Sequence, residues 1–164
     1  MRCFIACFPI PDSAQRLAAA VRSSWVLPAA ARLIPAVNYH MTLQFLGQRP
    51  LADVPQILAE VAALGGVASR ARVLGFGGFP DPARARVVFA RLEVSDEQQG
   101  WAGGNDEFVP HISIARARRG VPVPGSDGVA GIELELAAPA LYESVSVADG
   151  VRYRKLSADS IAGD

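Results

Sequence analysis

A regular alternation of polar and apolar residues runs through residues 38–45 and predicts a half-buried strand there. Side chains at positions i and i+2 project from the same face of a strand. We therefore expect His40 and Thr42 to lie side by side on the polar face. The apolar residues of the stretch are expected to point into the core: Met41, Leu43 and Phe45.

The same arrangement recurs in residues 109–114, where we expect His111 and Ser113 to share the polar face, with isoleucines on the core face. His40 and His111 are the only histidines in the chain, and Thr42 is its only threonine. Serine and threonine make up 12 of the 164 residues. The chance that both histidines precede a hydroxyl residue at i+2 is therefore about one in 200 on composition alone.

Over the whole chain, the pattern predicts strands and helices in an order typical of the α+β class. Strands are expected at residues 2–8, 38–45, 70–79, 86–94, 108–115, 132–136, 141–147 and 151–156. Helices are expected at residues 13–25, with Asp12 as N-cap, and at residues 53–64. Residues 95–107 and 119–131 are rich in glycine and lack periodicity, so we expect loops there.

The two histidine strands are separated by 71 residues (111 minus 40). This spacing favours one such strand in each lobe of a two-lobed, pseudo-symmetric domain. In that architecture, largely antiparallel sheets line a central cleft and helices pack outside them. A chain of 164 residues is most simply one domain, residues 1–164.

The composition is typical of a globular protein, with 51% hydrophobic and 20% charged residues. The longest apolar runs are too short to span a membrane, and the one near the N-terminus is too short for a signal sequence. We therefore expect a cytoplasmic protein without a membrane partner. The net charge of zero argues against broad, non-specific nucleic-acid binding.

The cationic residues are fifteen arginines and the single lysine Lys155. Arginine suits bidentate recognition of phosphate. A GC-rich genome would also enrich arginine, together with alanine, glycine and proline. We favour this second explanation for most of the arginines.

Cys3 and Cys7 share one face of the first predicted strand. An extended separation of four residues places their Cα atoms too far apart for a disulfide. A metal site would need further ligands at suitable spacing, so we interpret both residues as core thiols.

Paired imidazoles beside hydroxyl groups are suited to acid–base chemistry at phosphorus. Imidazole gains and loses a proton near neutral pH, so His40 and His111 can divide the acid and base roles at one phosphate. The hydroxyls of Thr42 and Ser113 can donate hydrogen bonds to its non-bridging oxygens.

Other uses of histidine fit this sequence less well. Zinc normally takes three or four ligands, yet the chain has no third histidine and no His-Glu-x-x-His. It also lacks the Gly-x-Ser-x-Gly of many hydrolases and the glycine patterns of nucleotide-binding loops. Metal-free acid–base chemistry on a phosphodiester remains.

With the motifs His40-Met41-Thr42-Leu43 and His111-Ile112-Ser113-Ile114, the chain resembles the 2H phosphoesterases, which carry paired HXTX motifs. More narrowly, it is similar to the bacterial and archaeal RNA 2′,3′-cyclic phosphodiesterases, long called 2′-5′ RNA ligases. Supporting matches lie at residues 2–6, 38–47, 75–80, 108–116 and 141–144.

The resemblance implies hydrolysis of a 2′,3′-cyclic phosphate to a 2′-phosphomonoester, with no metal and no cofactor. It implies that His40 is the proton donor to the leaving 3′ oxygen. It likewise implies that His111 is the base that activates water. The expected partners are RNA ends or nucleotides that carry the cyclic phosphate, and the protein is expected to be a monomer.

The resemblance also implies three substrate-binding candidates. Arg116 matches a family arginine that contacts phosphate, although strand parity places it on the Ile114 face. Phe45 and Tyr142 are candidates for the nucleoside pocket, and core packing is the alternative for each.

The chain departs from the family pattern in two places. Ser113 stands where threonine is usual, which keeps the hydroxyl, and residues 95–107 lack the helix that members usually have there. One alternative is therefore a binding module of the same fold for nucleotides or RNA ends, with little or no turnover. A further alternative is an enzyme that acts on a small cyclic nucleotide.

Overall fold

The computed structural model describes residues 1–162, which contain two antiparallel sheets. A strand of the first sheet begins directly after His40, and a strand of the second begins at His111. From edge to edge, the first sheet consists of β3 (Met41–Gln48), β1 (Arg2–Cys7), β8 (Ala140–Val147) and β9 (Gly150–Lys155). The second consists of β2 (Ala31–Leu33), β6 (His111–Val121), β5 (Ala85–Glu93), β4 (Ser69–Phe79) and β7 (Glu133–Leu136). The α+β class and the two-lobed arrangement are thereby confirmed.

The helices are α1 (Pro11–Ser24), α2 (Val54–Ala63), α3 (Asp96–Gly100) and α4 (Ala158–Ala162). Single 3₁₀ turns cover Ala36–Asn38 and Leu51–Asp53. Among residues 1–162, no helix combines the length and apolar composition needed to cross a membrane.

One continuous hydrophobic core joins both sheets to α1 and α2. The first histidine motif contributes Met41 and Leu43 to it, and the second contributes Ile112 and Ile114; all four are buried. The core face expected for these residues is confirmed. The free thiols of Cys3 and Cys7 are also buried in this core, as expected.

Two pairs of consecutive strands form antiparallel hairpins. β4 pairs with β5, and β8 pairs with β9 across a short turn at residues 148–149. The second helix also matches, because α2 begins directly after Asp53 and buries Val54 and Ile57. It ends before Gly65, whose φ of 64° is the left-handed conformation that glycine adopts most readily.

The N-cap expected at Asp12 is wrong. The helix α1 begins at Pro11, and Ile10 occupies the N-cap position without a side-chain hydrogen bond. The ring of proline holds φ near its helical value, and its missing N–H would have no helical partner at this position. Pro11 therefore determines the start of the helix.

The structure contains three short elements that the sequence pattern did not predict: β2, α3 and α4. The loop expected at residues 95–107 is wrong at its beginning, where α3 forms. The Ser95 hydroxyl accepts a hydrogen bond from the Gln98 N–H, and the Gln98 side chain accepts one from the Ser95 N–H. This capping box stabilises a helix too short to show periodicity.

Gln98 also connects α3 to the second sheet. Its side-chain amide donates to the Ser69 hydroxyl at 2.8 Å and to the Arg70 carbonyl at 2.9 Å, and the residue is buried.

We expect Gln98→Ala to lower the free energy of unfolding by about 1–3 kcal/mol, because buried polar partners lose their hydrogen bonds. The exposed neighbour Gln99 provides the matched control, and Gln99→Ala should change stability by less than about 0.5 kcal/mol. Equal effects in urea unfolding would contradict this role.

Candidate active site

A cavity of about 550 Å³ is lined by residues from both sheets. Both histidine motifs reach it: His40 and Thr42 contribute from one side, and His111 and Ser113 contribute from the other. The structure thus brings together the four residues singled out by the repeated sequence pattern. Other polar and aromatic side chains that line the cavity include Arg2, Arg32, Phe45, Arg116 and Tyr153.

The two imidazoles are oriented by the same backbone hydrogen bond. The Nδ1 atom of His40 lies 2.8 Å from the Asn38 carbonyl oxygen, and Nδ1 of His111 lies 2.6 Å from the Val109 carbonyl oxygen. Because a carbonyl only accepts, Nδ1 is the donor in both rings. In the neutral form, Nε2 of each ring is then the free acceptor that is available for proton transfer.

An extra residue in β3 explains the position of Phe45. On β1, Phe4 and Ala6 share one face, and they pair with Phe45 and Thr42 respectively. Leu43 is therefore the extra residue of a bulge. The bulge shifts the alternation so that Phe45 lies on the same face as Thr42.

The core position expected for Phe45 is accordingly wrong. Its side chain is 83% exposed, and it lines the cavity. The alternation predicts the side-chain orientations correctly only up to Leu43. A bulge inserts one residue into the strand without a clear signal in the sequence.

The second histidine strand has a bulge at the equivalent place. Ser113 pairs with Phe89 and Arg116 pairs with Val87, and these two β5 residues share one face. Ile114 is the extra residue. Arg116 therefore lies on the face of Ser113 and lines the cavity, which simple strand parity does not allow.

His40 is surrounded by three aromatic rings. The ring centroids of Phe4 and Phe8 each lie 5.0 Å from the imidazole centroid, and that of Tyr153 lies 4.8 Å away. His111 contacts a different pair of rings, Phe79 at 5.3 Å and Phe89 at 4.9 Å. The two halves of the site therefore differ in their surroundings although their motifs match.

Burial lowers the pKa of His40 from its ordinary value of 6.5 to about 4. The main cause is the loss of solvation of the charged imidazolium among the aromatic rings. The hydrogen bond to Asn38 opposes this shift, and the nearby charges of His111 and Arg116 add to it. At neutral pH, His40 is therefore uncharged in the free protein.

Tyr142 lies behind the cavity wall and does not line the cavity. It is buried and contacts Phe4 at 5.7 Å and Phe8 at 4.3 Å between ring centroids. Burial also raises the pKa of its phenol to about 12. The structure therefore agrees with the core-packing alternative for Tyr142. Its ring packs against Phe4 and Phe8, two of the rings that contact His40.

The sequence pattern did not single out Arg2 and Arg32, although both line the cavity with Arg116. Arg2 opens β1, and Arg32 lies in the three-residue strand β2. Neither position carries a periodic signal. The sequence feature that pointed to them was the near-exclusive use of arginine over lysine, which a GC-rich genome explains equally well.

The cavity offers few ligands for a metal ion. It contains two imidazoles and the buried Cys3 thiol, and no carboxylate lines it within the part of the chain that the structure describes. Over residues 1–162, no group of three or more His, Cys, Asp or Glu is placed to hold a metal. The arginine side chains instead make the cavity suited to an anion.

Comparison with known proteins places these features in one family. Residues 8–89, which include the first histidine motif, match the family model described as LigT like Phosphoesterase. The RNA 2′,3′-cyclic phosphodiesterase of Thermus thermophilus is 31% identical over 152 residues, which cover 80% of this chain and 76% of that protein. The protein with the same name from Aeropyrum pernix is 28% identical over 95 residues, which cover 49% of this chain and 54% of that protein.

The fold is also similar to solved structures. The crystal structure of TT0787 of Thermus thermophilus superposes with a TM-score of 0.78. The sequences are 28% identical, and the match covers 96% of both chains.

We expect His40 to titrate at about pH 4 in the folded protein. In His111→Gln, His40 is the only remaining histidine, so its NMR signal needs no further assignment. Without the charge of His111, the pKa of His40 should lie somewhat above 4 and still well below 6.5. A folded-state pKa near the ordinary value of 6.5 would contradict the proposed effect of burial.

The same pKa predicts a pH-dependent stability. Between pH 4 and pH 6.5, the unfolded chain binds more protons at His40 than the folded protein does. The contribution of neutral His40 to the free energy of unfolding is therefore complete above pH 6.5, and it is lost as the pH falls towards 4. Relative to His40→Gln, wild type should lose roughly 2–3 kcal/mol of unfolding free energy between about pH 7.5 and about pH 4.5. Urea unfolding of both proteins at the two pH values measures this difference.

Proposed function

The chain belongs to the LigT-like phosphoesterase family, and from this premise we propose that it is an RNA 2′,3′-cyclic phosphodiesterase. The reaction is hydrolysis of the cyclic phosphate at an RNA end or on a nucleotide to a 2′-phosphomonoester. The observation that carries the proposal is the pair of imidazoles on one cavity, each with Nδ1 bound to a carbonyl and Nε2 free.

The two imidazoles have complementary roles in this proposal. Nε2 of His111 removes a proton from water as the water oxygen attacks phosphorus. The bond between phosphorus and the 3′ oxygen then breaks, and Nε2 of His40 donates a proton to that oxygen. The phosphate remains on the 2′ oxygen.

The acid role of His40 requires that its charge state change when substrate binds. A neutral His40 cannot donate a proton from Nε2, and burial keeps it neutral in the free protein. An anionic phosphate beside the ring stabilises the imidazolium and raises the pKa of His40. We therefore propose that His40 gains its proton together with the substrate.

The remaining residues on this part of the cavity contact the phosphate. The hydroxyls of Thr42 and Ser113 donate hydrogen bonds to its non-bridging oxygens, where negative charge increases in the transition state. Arg116 lies on the face of Ser113 and contributes a charge-assisted hydrogen bond. No metal ion takes part in this scheme.

Phe45 provides a surface for the nucleoside. Its ring is exposed on the cavity and lies on the same strand face as Thr42, so a base attached to the reacting ribose can stack on it. Stacking of this kind tolerates any base. Tyr142 has no direct contact with substrate in this scheme, since it lies behind Phe4 and Phe8.

We expect His40→Gln and His111→Gln each to lower kcat on a nucleoside 2′,3′-cyclic phosphate by roughly 10²–10⁴. The losses should not multiply in the double variant, because the two groups act in one step. Ser146→Ala changes an exposed residue outside the cavity and should retain wild-type turnover.

Activity should persist in EDTA, and loss of activity restored by zinc or manganese would contradict the scheme.

The binding-module alternative predicts a different result. Wild type would then bind the 2′-phosphomonoester product but show no turnover of the cyclic phosphate. Each histidine variant would weaken that binding, with no catalytic rate to lose.

A further inference from the structure

The cavity extends well beyond the two histidines. Thr42 pairs with Ala6 of β1, and Arg2 lies four residues further along that strand. Four residues of strand span roughly 13 Å, which is several stacked nucleotide steps of about 3.4 Å. Arg2 and its strand partner Ser144 line this far end of the cavity.

Two arginines lie directly opposite each other in the second sheet. Arg32 of β2 pairs with Arg116 of β6, and both line the cavity. Directly opposed residues project from the same face, and like charges in this arrangement destabilise a sheet. The pairing therefore has an energetic cost that nothing in the fold itself explains.

No acidic side chain relieves this cost. The ion pairs within residues 1–162 are Arg49–Asp53 and Arg154–Glu143, so Arg2, Arg32 and Arg116 have no acidic partner there. The cavity lining described by the structure contains no aspartate or glutamate either. A bound polyanion is the partner that would offset the repulsion.

We propose that Arg32 and Arg2 form two successive subsites for backbone phosphates upstream of the reacting cyclic phosphate. This inference rests on the proposed function, in which Arg116 contacts the reacting phosphate. Arg32 lies on the neighbouring strand, about 4.8 Å from Arg116 in the direction of the backbone hydrogen bonds. It binds the phosphodiester on the 5′ side of the terminal nucleotide, and Arg2, further from the histidines, binds the next one.

The arrangement would make the enzyme prefer oligonucleotide ends over cyclic mononucleotides. A mononucleotide fills only the part of the cavity near the histidines and Phe45, and it leaves the guanidinium groups of Arg32 and Arg2 without an anion. Each further phosphate adds one charge-assisted contact. The preference should therefore increase stepwise with length and level off at two internal phosphates.

The test compares kcat/KM for three RNA substrates that end in a 2′,3′-cyclic phosphate: a mononucleotide, a dinucleotide and a trinucleotide. In Arg32→Gln, the ratio of dinucleotide to mononucleotide kcat/KM should fall about tenfold or more, as expected for a lost hydrogen bond between charged groups. In Arg2→Gln, the ratio of trinucleotide to dinucleotide should fall instead. Arg116→Gln should lower kcat/KM on all three substrates.

Arg118→Gln is the matched control, because Arg118 is an exposed arginine on the same strand as Arg116 and does not line the cavity. Its length ratios should equal those of wild type. Salt provides a second readout that a general structural change would not reproduce. The log–log slope of trinucleotide KM against salt should decrease by about 0.7 for each lost phosphate contact.

Two results would overturn the proposal. If Arg32→Gln lowers kcat/KM equally on all three substrates, Arg32 and Arg116 hold the reacting phosphate together. If wild type shows no preference for length, the cavity has no upstream subsites. If wild type hydrolyses none of the substrates, the proposed function fails; the subsites are then judged by the affinity for 2′-phosphorylated mono-, di- and trinucleotides, with the same variant ratios expected.

Discussion

The packing of His40 against aromatic rings is the interaction on which the rest of the site depends. Phe4, Phe8 and Tyr153 contact the imidazole, and Tyr142 packs against Phe4 and Phe8. This packing reduces the solvation of a titratable group, which lowers its pKa and favours the neutral ring. The nearby charges of His111 and Arg116 disfavour its charged form further, and the arginines that line the cavity make it suited to an anion.

The two halves of the site share one backbone design and differ in their side-chain surroundings. Each histidine donates from Nδ1 to the carbonyl two residues before it, and each strand contains a bulge directly after the hydroxyl residue. The fifth residue after each histidine is thereby turned into the cavity, Phe45 in one half and Arg116 in the other. The repeated backbone thus brings an aromatic ring to the cavity in one half and a guanidinium group in the other, while the two imidazoles contact different sets of aromatic rings.

Sequence reasoning predicted the fold well because hydrophobic periodicity reports directly on burial. It located every strand except β2, the two long helices and both histidine motifs, since these rest on patterns that span several residues. It was wrong for Phe45 and had no explanation for Arg116, because a bulge changes strand parity without a clear sequence signal. It also missed α3, which depends on the capping box of Ser95 and Gln98, and Arg32, which reaches the cavity only through its pairing with β6.

Our main proposal for the site is that His40 is neutral in the free protein and becomes protonated when phosphate binds. It is tested most directly by ¹⁵N NMR of the His40 ring in His111→Gln at neutral pH, before and after addition of adenosine 2′-monophosphate, the product of the proposed reaction. We expect a neutral ring with Nδ1 protonated in the free protein and an imidazolium in the complex. A ring that stays neutral in the saturated complex would contradict it and would place His40 in the role of the base.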